Sequence, residues 1–319
     1  MANRHPAPTE VHNTSLYFPT MKDTVSTYFR SLQDDICARL SAADGGQFRE
    51  DAWERPGGGG GRARVMEGNH IEKGGVNFSA VHGTLPPAAA RSLELGDGAA
   101  EFYATGVSIV LHPRNPHVPI IHMNVRYFEL AGGRYWFGGG IDLTPHYIVP
   151  EQAAWFHRQL KDACDATDPA YYPRFKDWAD DYFFIPHRDE TRGVGGIFFD
   201  RLHPDAEGRS REELFALVRR VGETFAPAYL HLLEQNKDRP ATPAEYAWQK
   251  LRRGRYVEFN LVWDRGTKFG LTTDGRTESI LMSLPPLAGW TYDYQPTPGS
   301  REEETLGMLR KGVDWVTMG

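Results

Sequence analysis

Apolar residues recur along this chain with two different periods, and each period places a different kind of element. From Thr20 onward Val25, Tyr28, Phe29, Leu32, Ile36 and Leu40 return at steps of three and four, so a helix is expected until Gly45-Gly46 breaks it. Similar helical patterns lie near 150–165, 211–236 and 242–253. Three other stretches alternate with period two and are expected as strands. In 106–112, Val107, Ile109 and Leu111 oppose Ser108, Val110 and His112. In 120–129, Ile121, Met123, Val125 and Tyr127 oppose His122, Asn124 and Arg126. In 255–264, Val257, Phe259, Leu261 and Trp263 oppose Tyr256, Glu258 and Asn260. Strands with one apolar face each imply a large antiparallel or mixed sheet with helices covering it. Asp168-Pro169 and the stretch from Asp205 to Ser210 read as breaks, and residues 1–19 as a loose N-terminal arm. No repeat or linker divides the remainder, so residues 20–319 are expected to form one domain.

Composition narrows the functional classes. The 319 residues are 40% hydrophobic and 12% aromatic, enough for a sizeable core. A formal net charge of -6 argues against a nucleic-acid partner held by bulk electrostatics, so an anionic ligand would need a local arginine cluster. The two cysteines, Cys37 and Cys164, cannot supply a disulfide scaffold, a Cys-rich zinc module or a cysteine-ligated iron–sulfur cluster. No run approaches the roughly 20 apolar residues of a membrane span. The stretch from Met1 to Glu10 has no apolar core of the kind a secretory signal carries, so a cytoplasmic location is expected.

Four segments carry candidate chemistry. In His122-Met123-Asn124-Val125-Arg126 the imidazole, amide and guanidinium share one strand face over about 13 Å. That face is either a polar network bracing the sheet or a binding surface. Arginine offers a fork for a carboxylate, asparagine a donor and an acceptor, histidine a proton near neutral pH. The second segment, from Trp136 to Pro145, holds two aromatics, three glycines and Asp142. Either its backbone packs against something flat and presents one carboxylate, or Asp142 caps a helix or sets a turn. The third, from Pro186 to Gly196, gathers His187, Arg188 and Arg192 with two acids; a solvated loop is the plain alternative. Phe198 occupies the place of its third glycine, so it is no dinucleotide fingerprint. In the fourth, Arg252 and Arg253 read as a solvated face or a helix C-terminal complement, while Arg276 sits at a turn that could aim it into a cleft. The glycine run 57–61 reads as a flexible loop or as backbone close to a ligand, and lacks the Lys-[Ser/Thr] of a P-loop.

Together the segments HMNVRYFE, WFGGGIDLTP, YFFIPHRDETRGVGGIFFD and RRGRYVEFNLVWDRGTKFG resemble the signature stretches of the aerobic, oxygen-dependent coproporphyrinogen-III oxidase family, in order, from about Thr20 to about Pro296. The resemblance implies an α+β fold with a large, mostly antiparallel sheet flanked on both faces by helices. It implies a homodimer, with the segment from about Arg252 onward in the dimerisation region. It implies conversion of coproporphyrinogen III and O2 to protoporphyrinogen IX, CO2 and hydrogen peroxide in haem biosynthesis. By the same resemblance His122 is the proton donor and Asp142 the acid facing the pyrrole N–H groups. Ser108, Asn124, Val125 and Arg126 contact substrate, as does the turn Asp274-Gly275-Arg276. Asp274 stands where the family usually has glycine, and its carboxylate would repel a propionate unless it turns away. His112, His122, His157 and His187 match four histidines once proposed as metal ligands. They fall on separate expected elements without i, i+4 partners, so spacing preassembles no site for a divalent metal. No organic cofactor is expected, because an electron-rich reduced pyrrole can itself react with O2 as co-substrate. Two rivals stay in view, a metal-dependent oxygenase or decarboxylase and a non-catalytic tetrapyrrole carrier. The working picture is a wall of His122, Asn124 and Arg126 opposite an Asp142 hairpin, with a flat tetra-acid between them.

Overall fold

A computed structural model describes residues 20–85, 90, 101–272 and 275–318. The elements run α1 (Met21–Asp44), β1 (Arg49–Glu54), β2 (Gly59–Met66), β3 (Ile71–Thr84), β4 (Glu101–Pro113), β5 (Ile120–Leu130) and β6 (Tyr135–Thr144). There follow α2 (Pro150–Asp165), α3 (Tyr171–Tyr182), the short strands β7 (Phe184–Ile185) and β8 (Glu190–Thr191), and β9 (Gly195–Leu202). The last part holds α4 (Pro204–Glu207), α5 (Arg211–Asn236), α6 (Pro243–Glu258), a π-helical turn (Phe259–Trp263), α7 (Arg265–Thr272), α8 (Thr277–Leu281) and α9 (Arg301–Met308). The expected N-terminal arm lies outside the described residues.

The helix expected from Thr20 forms because both ends are specified locally. Thr20 and Asp23 make a reciprocal capping box, and Gly45 closes the C-terminus at φ 79°. Its stripe of Val25, Phe29, Leu32, Ile36 and Leu40 is buried, at about 1.5–3 kcal/mol per large side chain.

One seven-stranded sheet organises the rest, in the order β1-β2-β3-β4-β5-β6-β9, with every neighbouring pair antiparallel. Alternation divides its two faces. Val76 and Phe78, then Val107, Ile109 and Leu111, then Met123 and Val125, then Ile141 and Ile197 form one core with α1, α2 and α5. The opposite face is covered in part by α6 and the π turn: Tyr256 shares an apolar cluster with Val110 and Ile120, and Phe259 one with Phe183 and Phe198. Helices therefore lie on both faces of a wholly antiparallel sheet, as the resemblance implies.

Three expectations fail for identifiable reasons. Residues 255–264 are not a strand. Thr242, Pro243 and Glu245 start a capped helix that runs through Glu258 and loosens into the π turn. Tyr256, Phe259 and Asn260 are buried while Leu261, Val262 and Trp263 are exposed, a helical division that overrides the accidental alternation. Arg252 and Arg253 are not solvated either. They are 2% and 1% exposed and ion-paired to Glu190 and Glu72. The glycine run is no loose loop: Gly58 makes a turn at φ 115°, and Gly59 to Gly61 lie in β2, where Gly60 and Gly61 pair with both β1 and β3. A Cβ on Gly61 would lie 2.6 Å from the Trp53 ring, so close packing demands its absence.

Candidate active site

On the face away from the large core, antiparallel register lines up polar side chains across the sheet. One row runs Asp51, Ala63, Asn77, Ser108, Asn124, Gly140 and Phe198, one residue from each strand. The next places Gly75, Val110, His122, Asp142 and Gly196 side by side, and a third places Ser79, Gly106, Arg126 and Gly138. Glycines are interspersed among these polar groups and let neighbouring groups approach the sheet closely, as at Gly75, where a Cβ would run into Met282 Sδ.

Asp142 is 1% exposed and sits in mid-strand, so it neither caps a helix nor sets a turn. His122 Nδ1 lies 2.8 Å from its Oδ1. Arg192 closes on it from the β8–β9 connection, with Nη2 donating at 2.7 and 2.8 Å and Nε at 3.2 Å. Burial alone would raise the Asp142 carboxyl, but the Arg192 cation and the His122 hydrogen bond bring it below its ordinary value. Burial likewise opposes the Arg192 charge, and Asp142 outweighs it. The guanidinium is sandwiched by aromatic rings, 4.4 Å from the Phe183 centroid, 4.8 Å from Tyr256 and 4.7 Å from Phe259. Its Nη1 donates to Asn260 Oδ1 at 2.9 Å. His122 is the member of this group that reaches the surface, with a side chain 22% exposed.

The expected wall and hairpin are thus one surface. His122 and Asp142 are cross-strand neighbours on a single face, not opposed groups, because β5 and β6 pair directly. Arg126 extends beside them, with Nη1 donating to Asn124 Oδ1 and Nη2 to Asp200 Oδ1, each at 2.8 Å. Phe198 lies 5.9 Å beneath it and stacks on Tyr182 at 4.0 Å, giving an aromatic shelf along the floor. Ser108 is half-buried beside Asn124. Val125 points into the large core at 0% exposure, so of its atoms only the backbone belongs to this face. Gly275 and Arg276 stand apart: Gly275 N–H donates to Gly270 O at 2.8 Å, and Arg276 pairs with Asp51 on the edge strand β1. Four strand spacings of about 4.8 Å put β1 roughly 19 Å from β5. Between them Asn77 Nδ2 donates to Ser279 O at 2.7 Å and His112 Nε2 to Ser283 O at 2.8 Å, fastening segment 277–284 over β3 and β4. Two surface hollows of about 440 and 470 Å3 lie elsewhere, one beside Trp290 and the other beside Tyr103.

Sequence comparison decides the family. The model of the coproporphyrinogen III oxidase family matches residues 24–315. The chain belongs to that family. It is 49% identical over 302 residues to a chloroplastic oxygen-dependent coproporphyrinogen-III oxidase of Glycine max, covering 90% of this chain and 77% of the relative. It is 48% identical to the oxygen-dependent coproporphyrinogen-III oxidase of Prochlorococcus marinus, over 92% of each chain. Coproporphyrinogen-III oxidase 1 of Arabidopsis thaliana, also chloroplastic, is 48% identical over 91% of this chain and 78% of its own length.

The four histidines matched to metal ligands each have other partners. His112 holds Ser283, and burial pushes it down to about 3. His157 is pushed down likewise to about 3 by burial and sits between Tyr172 Oη and Val194 O, each at 2.9 Å. His187 bridges Glu258 and the Trp263 indole, and His122 holds Asp142. Among the described residues no three His, Cys, Asp or Glu side chains converge as ligands. Asp274 lies outside the described residues. Two members of the site are not legible as such in the sequence. Arg192 reads there only as one charge in a loop, although its place just before the glycine-flanked apolar run of β9 is a usable signal. Asn260 falls on an expected strand that does not form.

Proposed function

We propose that this chain is an oxygen-dependent coproporphyrinogen-III oxidase whose reacting surface is the glycine-floored face bearing His122, Asn124 and Arg126. The observation that carries this reading is the buried Asp142–Arg192 pair with its single partly exposed partner, His122, in a chain of this family. Each propionate gives a vinyl group and CO2 and releases two electrons and one proton. The electrons, with two protons, reduce O2 to hydrogen peroxide. The reduced macrocycle supplies the electrons, and the protein has to place it and manage protons.

His122 suits the second task. With Nδ1–H donating to the Asp142 carboxylate, Nε2 carries the lone pair and accepts a proton as the dyad's outer member. Asp142, stabilised as an anion by Arg192, favours the imidazolium that results. In this arrangement Asp142 acts through His122 and does not meet the pyrrole N–H groups itself, since its own oxygens are already taken by Arg192 and His122. Ser108, Asn124 and Arg126 hold the macrocycle edge and one propionate. Arg276 with Gly275 serves a propionate at the far side. Residues 20–319 act as one catalytic unit in the cytoplasm; among the described residues no helix is long and apolar enough to cross a membrane. Two copies pair through the exposed apolar surface that includes Leu261, Val262, Leu287 and Trp290, left 46%, 46%, 54% and 56% exposed.

The test is oxygen uptake with reduced coproporphyrinogen III, scored with vinyl product and CO2. Consumption of one O2 per propionate lost is expected. Stoichiometric binding without oxygen uptake would leave the carrier reading in its place.

A further inference from the structure

The fork that the proposed function assigns to a substrate propionate is already engaged by a carboxylate of the chain. Arg126 reaches Asp200 on β9 by crossing the whole of β6, and it does so over Gly138. A Cβ there would lie 2.7 and 2.8 Å from Arg126 Nε and Nη2 and 2.6 Å from Asp200 Oδ1. The glycine is therefore the gap through which the two charges meet.

Asp200 is aimed by a β-bulge. Pairing passes from Gly139 with Phe199 to Phe137 with Leu202, so Asp200 and Arg201 together oppose Gly138. Arg201 takes up the extra residue at φ 52°, a left-handed conformation that costs a non-glycine residue roughly 1–2 kcal/mol. The bulge also returns Leu202 to the core at 1% exposure, so Asp200 is held from both sides and is not a freely moving surface acid. Both partners keep about a third of their side-chain surface in solvent, 35% for Arg126 and 33% for Asp200. An ion pair this exposed contributes little to stability. Its position, at the end of the polar row and above the Phe198 shelf, suits the reception of a ligand instead.

We propose that Asp200 is a specificity-setting counter-charge. It occupies one edge of the Arg126 fork, orients the remaining N–H groups toward the floor, and keeps the affinity of the site for polyanions low enough for release. A guanidinium carries five N–H donors, and the two contacts with Asn124 and Asp200 leave the others for an incoming carboxylate. That carboxylate meets Arg126 already neutralised by Asp200. A ligand carrying several carboxylates gains from their number, while one that has lost two of them is held weakly. The inference rests on the reading of Arg126 as a propionate site.

The experiment measures binding of oxidised coproporphyrin, a tetracarboxylate that cannot turn over, by quenching of its fluorescence on the full-length protein across a range of NaCl. Asp200→Asn keeps the acceptor oxygen and removes the charge. It is expected to tighten binding about three- to tenfold at low salt, the scale of one half-screened charge at contact distance, and to steepen the salt dependence. In an Arg126→Gln background the same change is expected to do nothing. Should Asp200→Asn prove unstable, Asp200→Ser carries the same expectation. Unchanged or weaker binding in the charge-removed variant overturns the proposal, as does equal tightening without Arg126. Failure of the unaltered protein to bind the tetracarboxylate would instead remove the proposed function.

Discussion

Replacing Arg192 by methionine tests how the site keeps a buried carboxylate charged. Asp142 is 1% exposed and receives three of its contacts from this guanidinium, with His122 remaining among the described residues once it is gone. Removing one partner of a buried ion pair costs about 3–5 kcal/mol, because the other charge stays desolvated. Against a typical total of about 5–15 kcal/mol that is a large share, so urea denaturation should show the midpoint well below that of the unaltered protein. The pH dependence should also change sign. In the unaltered protein Asp142 lies below its ordinary value, so its contribution is present above the unfolded carboxyl pKa and lost as pH falls through the depressed one. In Arg192→Met, burial is no longer outweighed and the carboxyl rises above that value. Stability is then lost as pH climbs from about 4 toward neutrality. Adding Asp142→Asn removes the unpaired charge and should recover at least half of the lost stability, while turnover stays down by about 10²–10⁴-fold in both variants. A loss under about 1 kcal/mol for Arg192→Met, well short of the cost of stranding a buried charge, or no recovery in the double variant, would refute this account.

Neighbouring contacts carry further expectations. Gly138→Ala drives a methyl into Arg126 and Asp200, so KM for the porphyrinogen should rise at least tenfold with kcat within about threefold, as loss of a binding contact requires. An unaltered KM in steady-state assays would show that Arg126 does not hold substrate. Glu258, opposed by burial but held at about 2 by Arg188, His187, Trp290 and Arg255, contributes stability that is present above its ordinary pKa and lost as pH falls toward 2. Acid unfolding of Glu258→Gln, tracked by tryptophan emission, should therefore flatten between about 4.5 and 2 relative to the unaltered protein; parallel curves would contradict it. Since the four candidate histidines are each engaged by different partners, prolonged chelation should leave turnover within about twofold, and a loss reversed by added iron or copper would contradict that.

Period-two alternation is a local property. The chain alone settled that Ser108 shares a face with His112, and His122 with Asn124 and Arg126, because successive side chains of a strand must point to opposite sides. It likewise settled α1, whose cap, stripe and stop all lie within Thr20–Gly45. Which faces meet is a different matter. Pairing of β5 with β6 placed Asp142 against His122, and the connection before β9 delivered Arg192 from fifty residues further on. The strands β1 to β3 are hard to read because glycines at Gly60, Gly61, Gly74 and Gly75 blur their alternation, and only neighbours at bonding distance make such residues a sheet. Residues 255–264 mislead for the complementary reason. Their alternation is real, yet a capped helix start and burial of Trp248, Arg252, Tyr256 and Phe259 along one helical side decide the conformation. Arg252 and Arg253 look like surface charges until Glu190 and Glu72 arrive from elsewhere in the chain, because whether a charge can be buried depends on partners that sequence proximity does not supply.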